Sequence, residues 1–338
     1  MKCILFALLL VVSITLTGAG TTQQSVSMQS EENEVTFAVI SDPHIGMGEL
    51  SNTNKMFHYN QDVLMWVIKE INAMNDIDFV LVLGDITKDS EPINHVLAKD
   101  LLDTLDVPYF VVPGNHDVNK TYVKGMKKGI EDFVKIYEGH GYQGERSWYS
   151  VDPVPGLHLV ALDSASDPSL SDTWGGNISK EQLSWLESDL NQSQDKTIIV
   201  MSHHALINHT GKNESNWYIG NRNTVKDILR KYGVQIVFTG HLHITDIAEE
   251  DGLYDISCPA TSTYPLAYRL VKIEGNNITI DTMWYPDEKV RGIAKAEFMQ
   301  HGWEGTLEEM EGSFSDRYTV IELHKPLQDI KFPLPAEA

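Results

Sequence analysis

Short apolar, β-rich runs recur along the first two thirds of this chain, each followed by a stretch of helical periodicity, and that alternation constrains the fold most. VTFAVIS at 35–41 leads to a helical pattern over 56–74, with Val63, Leu64, Val67, Ile68 and Ile71 on one face. The unit repeats as DFVLVLG at 78–84 with a helix near 92–105, then YFVVPG at 109–114 with a helix near 122–138. LHLVALD at 157–163 precedes a helix capped by Ser179, TIIVMS at 197–202 precedes one near 223–232, and VQIVFTG follows at 234–240. Runs that are apolar at nearly every position suit strands covered on both faces, so the pattern predicts one largely parallel sheet with helices outside. After His243 the strands crowd together. LYDISCP, YRLVKIE and ITIDTMWY lie within 253–285, with a hairpin-like junction at Gly275, Asn276 and Asn277, and predict antiparallel strands of a second sheet packed on the first. Residues 286–338 hold one further strand, YTVIELH at 318–324, and read as a C-terminal extension packed on a domain at 35–285.

Lys2 precedes an apolar run from Ile4 to Val12 that fades into Thr17, Gly18, Ala19 and Gly20. A basic start, an apolar middle and a small-residue end predict a secretory signal over 1–20, and the run falls short of the roughly 20 residues of a spanning helix. Residues 21–34 are polar and aperiodic and read as a flexible leader. The expected destination is the periplasm, the cell surface or the medium, with membrane association only if the signal stays uncleaved. Of the two cysteines, Cys3 falls in the signal, which leaves Cys258 and no intramolecular disulfide. Acids outnumber Lys and Arg by 48 to 26, for a formal charge of -22. Such a chain repels long polyphosphate backbones, so long DNA or RNA is not expected as a partner, whereas a small phosphate ester bound beside cations is not ruled out.

In an open α/β sheet the ligand site lies beyond the carboxyl ends of the strands. Five of these ends carry metal-ligand chemistry: Asp42 and His44; Asp85 after Gly84; Asn115, His116 and Asp117 after Gly114; His203 and His204; and His241 and His243 after Gly240. Carboxylate, imidazole and amide donors together suit divalent Zn, Mn or Fe, and there are too many for one ion. Turn and cap chemistry explains individual Asp and Asn residues but not six histidines among them.

The strings DPH, GD, GNHD, SHH and GHLH, in that order, resemble the motifs of calcineurin-like metallophosphoesterases, in particular the branch of bacterial class III cyclic-nucleotide phosphodiesterases. The similarity runs from about Val35 to Tyr285 and includes GGNISKEQLSWLESDL at 175–190 and PATSTYPLAYRL at 259–270. It implies an α/β fold, a four-layer α-β-β-α sandwich with two mixed sheets. It also implies a hydrolase that cleaves phosphodiester or phosphomonoester bonds of small molecules with hydroxide held by two divalent ions, Mn, Zn or Fe. Asp42, His44 and His243 would hold one ion, Asn115, His203 and His241 the other, with Asp85 bridging. His116 would donate a proton or hydrogen bond to the leaving oxygen, and Asp117 would orient it. His204, followed by Ala205 where relatives often carry Pro, stays open between a supporting and a substrate-facing place. Purple acid phosphatases carry a Tyr ligand three residues after the GD aspartate; Lys88 stands there, which disfavours an iron–tyrosinate centre.

The remaining histidines, among them His158 and His209, read as structural or surface groups. Asn216, Trp217 and Tyr218 are candidate substrate contacts, in one of three loops (46–60, 164–176, 205–222) expected to set specificity. A second class stays open beside the enzyme: a non-catalytic, metal-stabilised binding protein at the cell surface. Turnover by the metal-loaded protein separates the two.

Overall fold

The computed structural model describes residues 34–47, 54–118, 129–167, 174–211, 216–302 and 305–327. The expected signal, all but the last residue of the leader, and the start of the helix expected near 122–138 lie outside these.

Two six-stranded sheets form the centre. The first has the order β12-β11-β10-β1-β2-β3, from β1 (Glu34–Ile40), β2 (Phe79–Val82), β3 (Tyr109–Val111), β10 (Ala267–Glu274), β11 (Asn277–Trp284) and β12 (Tyr318–Glu322). Here β1, β2 and β3 run parallel, and β10, β11 and β12 continue the sheet antiparallel from β1. The second has the order β4-β5-β6-β7-β9-β8, from β4 (Tyr149–Val151), β5 (Leu157–Leu162), β6 (Thr197–Ser202), β7 (Ile236–Thr239), β8 (Asp246–Glu250) and β9 (Leu253–Ser257). Its four inner strands are parallel, and β4 and β8 are antiparallel edges.

The expectation of one parallel sheet followed by one antiparallel sheet is therefore corrected. Parallel strands are divided between the two sheets, and the later strands extend both. A continuous apolar run shows that a strand is covered on two faces; it carries no label for which sheet does the covering. The strands and principal helices otherwise fall where the periodicity put them: α1 (Asn60–Ala73), α2 (Pro92–Leu102), α3 (Ile130–Ile136), α4 (Lys180–Gln192) and α5 (Arg222–Lys231). Ser179 caps α4, its hydroxyl accepting the Gln182 N–H at 3.1 Å. Within 286–338 the sequence reading assigned no helix, yet α6 (Glu288–His301), α7 (Leu307–Glu311) and α8 (Phe314–Arg317) are present.

Strand alternation builds the layers. In β5 and β6, Leu159, Ala161, Ile199 and Met201 enter the core shared with the first sheet, while Val160, Leu162, Ile198 and Val200 pack with Leu186 and Leu190 of α4 and Val225 and Leu229 of α5. Across the intersheet core the Phe37 and Phe238 rings meet edge to face at 5.7 Å. On the first sheet Leu64, Val67, Ile68 and Ile71 of α1 supply the outer layer. The result is a four-layer α-β-β-α sandwich whose parallel strands, in both sheets, end at one rim.

Candidate metal centre

The chain turns sharply where these strands end. Asp42 (φ 50°), His44 (φ 43°), Asp85 (φ 46°), His241 (φ 65°) and His243 (φ 59°) all have left-handed backbones. For residues other than glycine this costs on the order of 1 to 3 kcal/mol each and persists only where the surroundings enforce it. Clustered at one point, such turns fold five side chains back onto a common centre. Two glycines permit the crowding: a Cβ on Gly114 would overlap the backbone and carboxylate of Asp85, and one on Gly240 would overlap Ser41 and Asp42.

Asp42 and Asp85 are almost completely buried. Asp42 accepts hydrogen bonds from the Ser41 hydroxyl and, at 3.1 Å, from the His241 backbone N–H, and His243 Nε2 lies 3.1 Å from its other oxygen. Asp85 stands between two groups of imidazoles. His44 Nε2 is 3.5 Å from one oxygen and His203 Nε2 is 3.4 Å from the other, which also accepts the His116 backbone N–H at 2.7 Å. Asn115 Oδ1 is 3.2 Å from His203 Nε2, and the Nε2 atoms of His44 and His243 are 3.4 Å apart. Ligand atoms of Asp42, His44, Asp85 and His243 lie within 4.8 Å of one another, as do those of His203, His204 and His241.

This donor set fits divalent cations. Among the described residues the groups within ion-pair distance of Asp42 and Asp85 are histidines, and two buried carboxylates cost several kcal/mol unless positive charge offsets them. The tautomers suit ligation as well. His203 Nδ1 donates to the Leu83 carbonyl at 2.7 Å, which leaves Nε2 as its lone-pair atom; His241 Nε2 donates to the Asn216 carbonyl at 2.9 Å, which leaves Nδ1. Burial and the charge of Lys55 hold the pKa of His44 well below the usual imidazole range, and burial with the charge of His203 lowers that of His241 to about 3, so both stay neutral. Burial works against ionisation of Asp85, but His203 and His116 outweigh it and hold its pKa well below the carboxylate range. His203 shows the reverse balance: burial opposes its charge, yet Asp85 raises its pKa to about 9.

The structure brings all seven expected ligands and His116 to this rim and separates the two residues left open. Asp117 does not orient His116. Its carboxylate accepts the backbone N–H groups of Ile86, Thr87 and Gly114 at 2.8 to 3.0 Å and the Thr87 hydroxyl at 3.0 Å, tying the GD turn to the GNHD turn. Burial and the neighbouring Asp85 push its pKa up to about 6. What holds His116 is the Lys88 carbonyl, 2.6 Å from Nδ1, with Asp89 at 3.0 Å. His204 lies close enough to be a ligand, but both ring nitrogens are engaged, Nδ1 with the Ser164 hydroxyl at 2.8 Å and Nε2 with the Trp174 carbonyl at 2.7 Å. It braces the cleft wall. Of the candidate substrate contacts, Trp217 and Tyr218 are core residues and Asn216 serves through its carbonyl.

A cleft of about 250 Å³ opens over the centre and is lined in part by Lys55, Phe57, Lys88, His116 and Trp174. The sequence reading did not single out Lys55, Phe57, Asp89 or Trp174. Lys88 alone had a positional signal, three residues after Asp85.

Comparison with known proteins is consistent with this geometry. A family profile described as calcineurin-like phosphoesterase matches residues 35–245. A protein of Arcobacter nitrofigilis named probable glycerophosphodiester phosphodiesterase is 30% identical over 211 residues, covering 60% of this chain and 70% of that protein. A 3',5'-cyclic adenosine monophosphate phosphodiesterase of Haemophilus influenzae is 24% identical over 238 residues, covering 69% of this chain and 78% of its own. A dimetal phosphatase structure from Danio rerio shares the fold, with a TM-score of 0.61 at 16% identity over 74% of this chain and 96% of that one.

Proposed function

Because the chain belongs to the calcineurin-like phosphoesterase family, a family of metal-dependent hydrolases, we propose that it hydrolyses small phosphodiesters at a centre of two divalent ions. The observation that carries this reading is Asp85, whose two oxygens face His44 on one side and His203 on the other. In it, Asp42, His44 and His243 would hold one ion and Asn115, His203 and His241 a second, with Asp85 available to both. Two ions bound there would polarise the phosphoryl oxygens and make water nucleophilic near neutral pH.

The chain's own groups supply the rest. The Lys88 carbonyl can only accept, so Nδ1 of His116 carries a proton and Nε2 faces the cleft, where the doubly protonated ring can give the Nε2 proton to the leaving oxygen and become neutral. Asp117 keeps the Asp85 and Asn115 turns in register, and His204 holds the Trp174 wall over the centre. The relatives named as phosphodiesterases favour diesters over monoesters. The apolar run after Lys2 supports export and with it a reaction outside the cytoplasm. Among the described residues no helix is long and apolar enough to cross a membrane.

The test is turnover by purified protein, loaded with Mn or Zn and stripped by chelator, on a panel of cyclic nucleotides, glycerophosphodiesters and aryl phosphate esters. The proposal expects chelator-sensitive cleavage with diesters ahead of monoesters. A loaded protein that cleaves none of the panel would overturn it.

A further inference from the structure

We propose that Trp174 is the specificity-determining residue for the ester arm that stays on phosphorus, and that it favours a flat aromatic ring there over a small or polyol arm. The inference rests on the phosphoesterase reading and deepens it: the favoured substrates are monoanionic diesters whose retained arm bears a ring. Trp174 lines the cleft together with Asp85, Asn115, His116, His241 and His243. It is 53% exposed, whereas the five other tryptophans among the described residues are buried or half-buried. A large apolar side chain left in water forgoes its usual burial, and this one does so at the mouth of the cleft.

The backbone that carries the indole is fixed. The Trp174 carbonyl accepts the His204 Nε2–H at 2.7 Å, so His204 Nδ1 is the acceptor for the Ser164 hydroxyl at 2.8 Å, and Ser164 Oγ in turn accepts the His204 backbone N–H at 3.2 Å. Two residues on, the Gly176 N–H donates to the Tyr218 carbonyl at 3.2 Å and the Gly176 carbonyl accepts the Gly220 N–H at 2.7 Å. A Cβ on Gly176 would overlap the His204 ring, so glycine lets this segment pass close to it. The His204 ring lies 4.4 Å from that of His241, which ties Trp174 to the His241 side of the centre. His116, which serves the leaving oxygen, stands edge-on to His44 at 4.8 Å. The arm that meets Trp174 is therefore the retained one. At about 250 Å³ the cleft is smaller than the roughly 300 to 1,000 Å³ of drug-sized ligand sites, which suits a phosphoryl group with one compact arm. An indole offers a broad π face and a single N–H, so it gains more from a ring than from the several hydroxyls of a polyol. Phe57, also on the cleft, adds to its aromatic lining.

Two monoanionic substrates with the same nitrophenolate leaving group isolate the retained arm: methyl p-nitrophenyl phosphate and phenyl p-nitrophenyl phosphate. Each is measured on metal-loaded wild type, Trp174→Ala, Trp174→Leu and Trp174→Phe, with Tm and bound metal recorded for every protein. Calorimetric binding of the monomethyl esters of phenylphosphonate and methylphosphonate provides a readout independent of turnover. The expected result is that wild type prefers the phenyl arm, that Trp174→Ala lowers the phenyl-over-methyl preference by about tenfold in KM and in phosphonate affinity with kcat affected alike for both substrates, and that Trp174→Phe keeps most of it. Trp174→Leu, apolar but without a flat face, should lose part of the preference and serves in place of Trp174→Ala if that variant fails to fold. An unchanged ratio in the Ala and Leu variants, with any loss equal on the two substrates, marks Trp174 as a structural wall and overturns the proposal; so does a wild type that binds both phosphonates alike. If wild type holds metal and cleaves neither substrate, the phosphoesterase reading falls instead, and the phosphonate pair still decides whether the subsite exists.

Discussion

His116 and Asp117 are neighbours in the string GNHD, yet one lines the cleft and the other is sealed beneath it. The difference predicts opposite phenotypes. Asp117→Ala removes the acceptor for three backbone N–H groups and one hydroxyl. At about 1 to 3 kcal/mol for each buried donor left without a partner, the expected loss is at least about 3 kcal/mol. Calorimetric unfolding should show it as a clear drop in Tm, with weaker retention of metal. His116→Ala removes no expected ligand and none of the acceptors that hold the turn, although its ring stands edge-on to His44 at 4.8 Å, so it should keep most of the metal content and Tm while kcat falls by about 10²- to 10⁴-fold. Equal losses of stability in the two variants would contradict this division. The candidate ligands stood out in the sequence because they share one signal, a metal-binding residue type directly after an apolar run. Asp117 and His204 carry the same signal, and only their hydrogen-bond partners distinguish them, which a linear sequence does not encode.

At the scale of elements, the segment after β6 is tied to the far edge of the second sheet by a buried histidine. His209 Nδ1 lies 2.6 Å from Asp246 of β8, and Nε2 lies 3.4 Å from Asp255 of β9. Asp255 also accepts the backbone N–H groups of Leu206 and Ile207 and the Thr239 hydroxyl. Burial opposes a charge on His209, but Asp255 and Asp246 raise its pKa to about 9. A folded pKa above the unfolded value of about 6.5 gives stability that is complete below pH ~6.5 and lost as pH rises through ~9, up to roughly 3 kcal/mol. Thermal unfolding of wild type should therefore show Tm falling between these values, and His209→Gln should flatten the slope while lowering Tm at pH 6. A variant with the wild-type slope would show that the pair contributes nothing. The sequence reading treated His209 as structural or surface, correctly as to role, but its partners lie 37 and 46 residues away along the chain. Other elements escaped for similar reasons. Edge strand β8 reads DIAEE and is only partly buried, so it lacks the apolar run that marked its neighbours. The short helices α7 and α8 depend on capping boxes at Thr306 and Ser313 more than on an apolar stripe.

For the whole molecule, the sandwich gathers two carboxylates, four imidazoles and an amide from five strand ends of both sheets. That assembly joins the halves of the fold, so ions bound there would contribute to stability as well as to the proposed reaction. On the proposed reading it would also reconcile the acidic chain with an anionic substrate, because ions held at the rim would set the sign there locally. An α/β fold was legible from periodicity and candidate donors from residue type at strand ends, while the four-layer arrangement and the division of the donors into two sites came only with the resemblance; the division of strands between sheets and the lysines of the cleft depend on contacts made only after folding.

The central claim is a centre of two ions sharing Asp85, and a stoichiometric metal titration tests it most directly. Stripped protein would receive Mn in fractional equivalents, with bound metal and hydrolysis of an aryl phosphodiester read on the same samples. The account predicts that turnover rises with the second equivalent and saturates at two ions per chain, and that Asp85→Ala neither holds two nor turns over. Full activity in the stripped protein, or an inert wild type carrying two bound ions, would contradict it.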